Sequence, residues 1–137
     1  MMKFYISSSF SNKEAVREAA NQLKKEGFVH VYDWTLNSFA TSPEELTRIG
    51  EEEKQAVMKA DFFILLLPGG RGSHVELGIA LAAGKRVYIY SPENETNFIT
   101  FYHVRNVHRC TGDLYSFIQF VVQNERIYHY NTEKGNG

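Results

Sequence analysis

The sequence predicts a single-domain α/β fold, an open parallel sheet of about five strands with helices packed on both faces. Three observations carry this. Short apolar runs rich in aromatic and β-branched residues alternate with amphipathic helical patterns along the chain. The segment from Phe62 to Leu67 is apolar at every position, as a strand covered on both faces requires. A glycine-rich turn, Pro68-Gly69-Gly70-Arg71-Gly72, then leads directly from that strand into a helical pattern.

Each element follows in order. Phe4 to Ser7 reads as the first strand. Ser11 is placed to cap the next helix, with Glu14 as its capping-box partner. Ala15, Val16, Ala19, Ala20 and Leu23 recur there at helical spacing until Gly27 stops them. Phe28 to Tyr32 is the second strand and Asp33 to Ser42 a polar loop. Ser42-Pro43 opens a helix that reaches about Ala60. Asp61 to Leu67 is the third strand, and Ser73 to Ala83 a helix closed by Gly84. Arg86 to Tyr90 is the fourth strand, Pro92 to Thr100 a loop, and Val104 to Cys110 the fifth strand. A last helix runs from Asp113 to Gln123, with Leu114, Phe117, Ile118 and Val121 on one face. Arg126 to Tyr130 adds a short strand. The domain thus occupies residues 1–130, and residues 131–137 form a disordered tail.

The bulk numbers exclude several classes. A chain of 137 residues buries a core without disulfides or structural metal. Fifteen basic residues face sixteen acidic ones, which does not suit nucleic-acid or anionic-membrane binding. The longest apolar run is far shorter than the ~20 residues of a membrane span. The single cysteine, Cys110, has no internal partner and suits a reducing compartment, so a cytoplasmic location is expected. His103, His108 and His129 lack ligand spacing, and neither metal nor cofactor is expected.

In such a sheet ligands bind beyond the carboxyl ends of the strands, where strand order reverses. Three loops lie there: Ser7 to Phe10, Asp33 to Asn37 and Pro68 to Ser73. In the third, Gly69, Gly70 and Gly72 permit close backbone approach. The helix start behind them offers free N–H groups and the positive end of its dipole. Arg71 adds a fork suited to phosphate, and with Ser73 these residues form a candidate phosphate cradle. Glu76 has two readings. Ser73-x-x-Glu76 fits a capping box, in which the carboxylate only satisfies its own helix end. Alternatively, a carboxylate beside the cleft acts at a sugar anomeric carbon as positive charge develops on it.

Glu53 is out of place in its helix. Leu46, Ile49, Val57 and Ala60 form one stripe with Glu53 inside it, while Glu51 and Glu52 face outward. Burial there raises a carboxyl pKa and makes a candidate general acid toward a leaving base. A rotated or frayed helix would return Glu53 to solvent.

The run Pro68-Gly69-Gly70-x-Gly72-Ser73-x-x-Glu76 resembles the PGGxGTxxE motif of the cytokinin-activating phosphoribohydrolases, with Ser for Thr. Asp61 through Tyr90, including Glu76-Leu77-Gly78 and Gly84-Lys85, is similar to the core of the nucleoside 2-deoxyribosyltransferase family. That family includes nucleoside-5′-monophosphate N-glycosidases. The opening Phe4-Tyr5-Ile6-Ser7-Ser8-Ser9-Phe10 is similar to its first strand and loop. The second resemblance is preferred, because the chain is short and lacks the first family's other glycine-rich loop and Arg-bearing helix motif.

Both resemblances imply a Rossmann-like or flavodoxin-like sheet and cleavage or transfer at a nucleotide N-glycosidic bond, with a small-molecule nucleoside or nucleotide as partner. They imply Glu76 as nucleophile or oxocarbenium stabiliser. The transferases carry an aspartate eight residues before the position matched by Asp61, and that position here is Glu53. Tyr5 matches a tyrosine of the family's sugar pocket, a core aromatic being the other reading. The related transferases are oligomers in which a neighbour helps complete the site, which implies a homodimer or larger assembly.

The remaining candidates are open. Ser7, Ser8 and Ser9 offer short hydroxyls to sugar or phosphate, Ser7 and Ser9 foremost, but the run is also ordinary loop composition. Asp33 is placed to touch sugar hydroxyls and Trp34 to stack on a base, or else Trp34 caps the sheet. His74 orients phosphate or faces solvent. Phe98, Phe101, Tyr102, Tyr115, Phe117 and Phe120 divide between the core and a subunit interface. Two other functions compete with N-glycosidic chemistry on nucleotides. One is a TIR-like domain that cleaves NAD, and the other a non-catalytic nucleotide-sensing module. A flavin protein on this fold is a weaker fourth.

Overall fold

The computed structural model describes residues 2–93 and 99–135. Five strands, β1 (Lys3–Ser7), β2 (Val29–His30), β3 (Phe62–Leu66), β4 (Arg86–Tyr90) and β5 (Val107–Cys110), form one sheet in the order β2-β1-β3-β4-β5. Every pairing is parallel. Four helices, α1 (Lys13–Lys25), α2 (Pro43–Lys59), α3 (Arg71–Ala82) and α4 (Leu114–Gly135), connect and cover the strands. The expected open α/β sheet is therefore present. Its strand order reverses between β1 and β3, the place at which sheets of this kind bind ligands.

Period-two alternation sorts the sheet into two faces. Phe4 and Phe62, with Tyr88 and Tyr90, lie on the face of α1 and α4, where Tyr90 stacks on Phe117. Tyr5 and Phe63 stack on the opposite face, which α2 and α3 cover. β3 has no exposure at any of its five residues, which explains its unbroken apolar run. Gly27 and Gly84 take φ of +93° and +72° just past α1 and α3, as their role as helix stops requires.

Several expectations are corrected. Ser11 does not cap α1: it lies in a 3₁₀ turn, Phe10–Asn12, and its hydroxyl pairs with that of Ser9 at 3.0 Å. β2 shrinks to two residues, because it sits at the sheet edge with one neighbour. The strand expected at 126–130 and the tail expected at 131–137 are instead helix as far as Gly135, where α4 ends, and residues 136–137 lie outside the described residues. The reason is Glu125. It continues the inner stripe of Phe117, Ile118, Val121 and Val122, fully buried, and a charge at that position masks the stripe in the sequence. Arg86 on β4 neutralises it with a two-pronged pair, Nε to Oε2 at 2.9 Å and Nη2 to Oε1 at 2.6 Å. The Tyr88 hydroxyl donates to it at 2.5 Å. Among the described residues no helix is long and apolar enough to cross a membrane.

Candidate active site

The three loops named from the sequence do meet. The Ser8 hydroxyl donates to the Leu66 carbonyl at 2.7 Å, and Ser9 N–H donates to the Pro68 carbonyl at 3.1 Å, tying the end of β1 to the end of β3. The Trp34 indole N–H donates to the Ile6 carbonyl at 2.7 Å and draws in the loop after β2.

Glu76 lies at the centre, and its partners decide between its two readings. α3 begins at Arg71, two residues before the expected start, with Gly70 at the N-cap. Ser73 is thus the third helical residue, and its hydroxyl accepts from Gly70 N–H at 2.6 Å, so Ser73 and not Glu76 fills the reciprocal place of a capping box. Glu76 is released from capping and turns inward onto β1. There the Tyr5 hydroxyl donates to Oε2 and the Ser7 hydroxyl donates to Oε1 at 2.8 Å. Tyr5 and Ser7 share a face because they are two residues apart on a strand. Burial raises the Glu76 pKa, and the hydrogen bonds from Tyr5, Ser7 and Glu53 pull part of that rise back. Tyr5 is itself pushed above the ordinary phenol range, by burial first and then by Glu76, so it remains a donor.

Glu53 reaches the same spot from α2. The stripe that singled it out is buried only at its carboxyl end, where Ala56, Val57 and Ala60 pack on the sheet; Leu46 is 61% exposed. Glu53 stands at the transition, half-buried and hydrogen-bonded to Glu76. Its pKa is pushed up to about 7, by burial first, then by the Glu76 charge and the hydrogen bond they share. Two carboxyl groups in contact cannot both ionise cheaply, so between them they hold a proton near neutral pH. Glu52, in contrast, faces the Tyr32 hydroxyl at 3.0 Å and Arg48.

The glycine turn is built for close approach. A Cβ on Gly69 would stand 2.6 Å from the Ser73 hydroxyl. The first helical hydrogen bond runs from His74 N–H to the Gly70 carbonyl at 3.2 Å. The N–H groups of Arg71, Gly72 and Ser73 precede it and carry no helical bond of their own. Arg71 is exposed at the first helical position. His74, which the sequence left between phosphate and solvent, is half-buried with both ring nitrogens engaged, Nδ1 at 2.7 Å from the Gly70 carbonyl and Nε2 at 2.6 Å from the Tyr102 hydroxyl.

Other candidates are otherwise occupied. Asp33 Oδ1 accepts from Thr35 N–H and from the Thr35 hydroxyl, which caps a 3₁₀ turn at Trp34–Leu36. The Trp34 ring is buried, with its one donor spent on Ile6. Ser9 faces Ser11, not Glu76. Of the C-terminal aromatics Tyr102 and Phe117 are buried, while Phe101, Tyr115 and Phe120 are exposed; Phe98 lies outside the described residues. Among the described residues no group of acidic, histidine and cysteine side chains is arranged to hold a metal.

Comparison with known proteins bears on this geometry. Among curated proteins no sequence matches the chain. Solved structures share the fold, two of them as follows. A CMP N-glycosidase of Clostridium botulinum superposes with a TM-score of 0.62 at 22% identity, covering 87% of this chain and 97% of that one. A 2-deoxyribosyltransferase of the psychrotolerant bacterium Bacillus psychrosaccharolyticus superposes with a TM-score of 0.65 at 20% identity, covering 83% of this chain and 88% of that one. The sequence itself matches the nucleoside 2-deoxyribosyltransferase family over residues 4–129, a span that takes in β1, the glycine turn and both acidic helices. The chain accordingly belongs to the nucleoside 2-deoxyribosyltransferase family and is an enzyme of glycosyl transfer or cleavage on nucleosides or nucleotides.

Proposed function

We propose that the enzyme breaks the N-glycosidic bond of a nucleoside 5′-monophosphate, with Glu76 acting at the anomeric carbon and Glu53 as the acid that releases the base. The observation that carries this reading is the buried Glu76 side chain at the switch point of the sheet, held on both oxygens by Tyr5 and Ser7, with Glu53 from α2 beside it. A structural carboxylate in a core is neutralised by a cation, as Glu125 is by Arg86. Glu76 is held by hydroxyls and a second acid, whose hydrogen bonds offset part of the rise in pKa that burial causes.

The steps balance as follows. An oxygen lone pair of Glu76 attacks the anomeric carbon as its bond to the base nitrogen breaks, with positive charge on the sugar between the two events. The bond electrons leave with the base, and Glu53 donates its proton to the departing base. Glu53, now ionised, takes a proton from water or from a second base, which displaces Glu76 and restores both carboxyl groups. Arg71 and the N–H groups of Arg71, Gly72 and Ser73 receive the 5′-phosphate.

The apolar outer face of α3, with Val75 65% exposed beside Gly78 and Ala82, supports a homodimer or larger assembly, which light scattering checks. The free thiol of Cys110 and a nucleotide substrate suit the cytoplasm. The central test is a panel of ribo- and deoxyribonucleoside monophosphates, with free base measured by chromatography. Base release lost in Glu76→Ala is expected. Full activity in that variant sinks the mechanism, and no base from any nucleotide sinks the reading.

A further inference from the structure

Three donors converge on one carbonyl at the start of α3. The Gly70 oxygen receives His74 N–H at 3.2 Å, the Ser73 hydroxyl at 2.7 Å and His74 Nδ1 at 2.7 Å. A carbonyl only accepts, so Nδ1 carries the ring proton; Nε2 of the neutral ring then accepts from the Tyr102 hydroxyl. Tyr102 is well fixed. It is buried, its N–H donates to the Ile99 carbonyl at 3.0 Å, and its carbonyl accepts from Arg109 Nη1 at 2.9 Å. It belongs to a 3₁₀ turn, Thr100–Tyr102, on the connection between β4 and β5.

We infer that His74 is a positioning residue for the phosphate cradle, setting the direction of the Arg71 N–H through the Gly70 carbonyl and braced from behind by Tyr102. The inference rests on the phosphate role given above to the glycine turn. The physical link is the peptide plane. The Gly70 carbonyl and the Arg71 N–H belong to one trans unit and point in opposite directions. Drawing the carbonyl back into the helix therefore aims the N–H outward, past the carboxyl end of β3. The helical His74 N–H and the Ser73 hydroxyl hold this carbonyl in part; the ring of His74 adds a third donor, and Tyr102 holds the ring. A side chain that never touches the ligand thus decides how well a backbone donor meets it.

The test is calorimetric titration of the full-length protein with inorganic phosphate, with thermal melts as the control for folding. His74→Ala is expected to bind phosphate about tenfold more weakly. His74→Asn, whose amide nitrogen takes the place of Nδ1, is expected to recover to within about threefold of wild type. His74→Gln reaches toward Tyr102 but not Gly70 and is expected to stay as weak as alanine. Equal phosphate binding in His74→Ala and wild type overturns the assignment, as does an asparagine variant no better than alanine. Should His74→Ala melt out, Tyr102→Phe carries the test: it keeps both rings and removes one hydroxyl. Weaker binding in that variant supports the brace, and unchanged binding overturns it. A wild-type protein that binds no phosphate overturns the cradle itself. Phosphate binding with no base released from any nucleotide overturns the N-glycosidase reading and leaves His74 in place.

Discussion

Tyr5 on β1 and Glu76 on α3 are 71 residues apart in the sequence and joined by one hydrogen bond in the structure. Phenylalanine at position 5 keeps the ring packed on Phe63 and removes only the donor. The hydrogen bond from Tyr5 lowers the Glu76 pKa, so its loss lets burial raise that pKa further. In the proposed role of nucleophile Glu76 must be ionised. The rising limb of kcat/KM against pH is therefore expected to move to higher pH in Tyr5→Phe, with kcat down about tenfold. A pH profile that superposes on wild type would count against Glu76 as nucleophile.

Under the proposed mechanism Glu53 ties activity and stability to the same proton. Its pKa is about 7 in the folded protein against 4.5 ordinarily. Between those values the folded state keeps a proton that the unfolded chain releases. The associated stability is full below 4.5 and is lost as pH rises through about 7. Activity that needs the acid form falls over the upper part of the same range. Glu53→Gln cannot titrate. Its melting temperature is expected to gain on wild type as pH rises from about 5 to about 8. Its base release should be slow and without the alkaline limb. Parallel melting curves across that range would remove the shared proton.

Gly69 is a steric test of the turn. The Cβ of Gly69→Ala would lie 2.6 Å from the Ser73 hydroxyl and 3.2 Å from His74 Cε1. Both groups hold the Gly70 peptide, so the substitution is expected to weaken phosphate binding by about tenfold. Release of base from an unphosphorylated nucleoside should fall less, since Glu76 is held from β1. Equal losses on both substrates would show the turn to be scaffold alone.

The Arg86–Glu125 pair predicts stability without activity. Glu125→Ala leaves a largely buried guanidinium facing the Tyr88 hydroxyl and is expected to cost about 3 kcal/mol in urea denaturation. The double variant Arg86→Met/Glu125→Leu, which removes both charges, should cost clearly less. At temperatures where the variants stay folded, kcat should match wild type, because the pair lies at the amino end of β4 and the site at the carboxyl ends.

The sequence made the sheet legible because its signals are local. The apolar run at Phe62 to Leu67, Ser42-Pro43 at the start of α2, and the stops at Gly27 and Gly84 each need only a few neighbouring residues to be understood. Glu53 was legible for a similar reason, as a charge inside a helical stripe. The same signal marks Glu125, but an early end assigned to the last helix hid it. The partners of Glu76 were not legible. They depend on the register of β1 against β3 and on which face of the sheet α3 covers. The pattern Ser73-x-x-Glu76 also points locally to a cap, and the true helix start at Arg71 overrules it. His74 was lost in the same way, since its brace is Tyr102 on a distant connection.

β1 and β3 lie side by side in parallel, so α1, β2 and α2 must all be laid down between them before Glu76 can meet Tyr5 and Ser7. A chain still emerging during synthesis, or one nicked between these elements, carries its acidic residues unassembled and in water. The proposed N-glycosidic chemistry therefore has no assembled site until the crossover has closed.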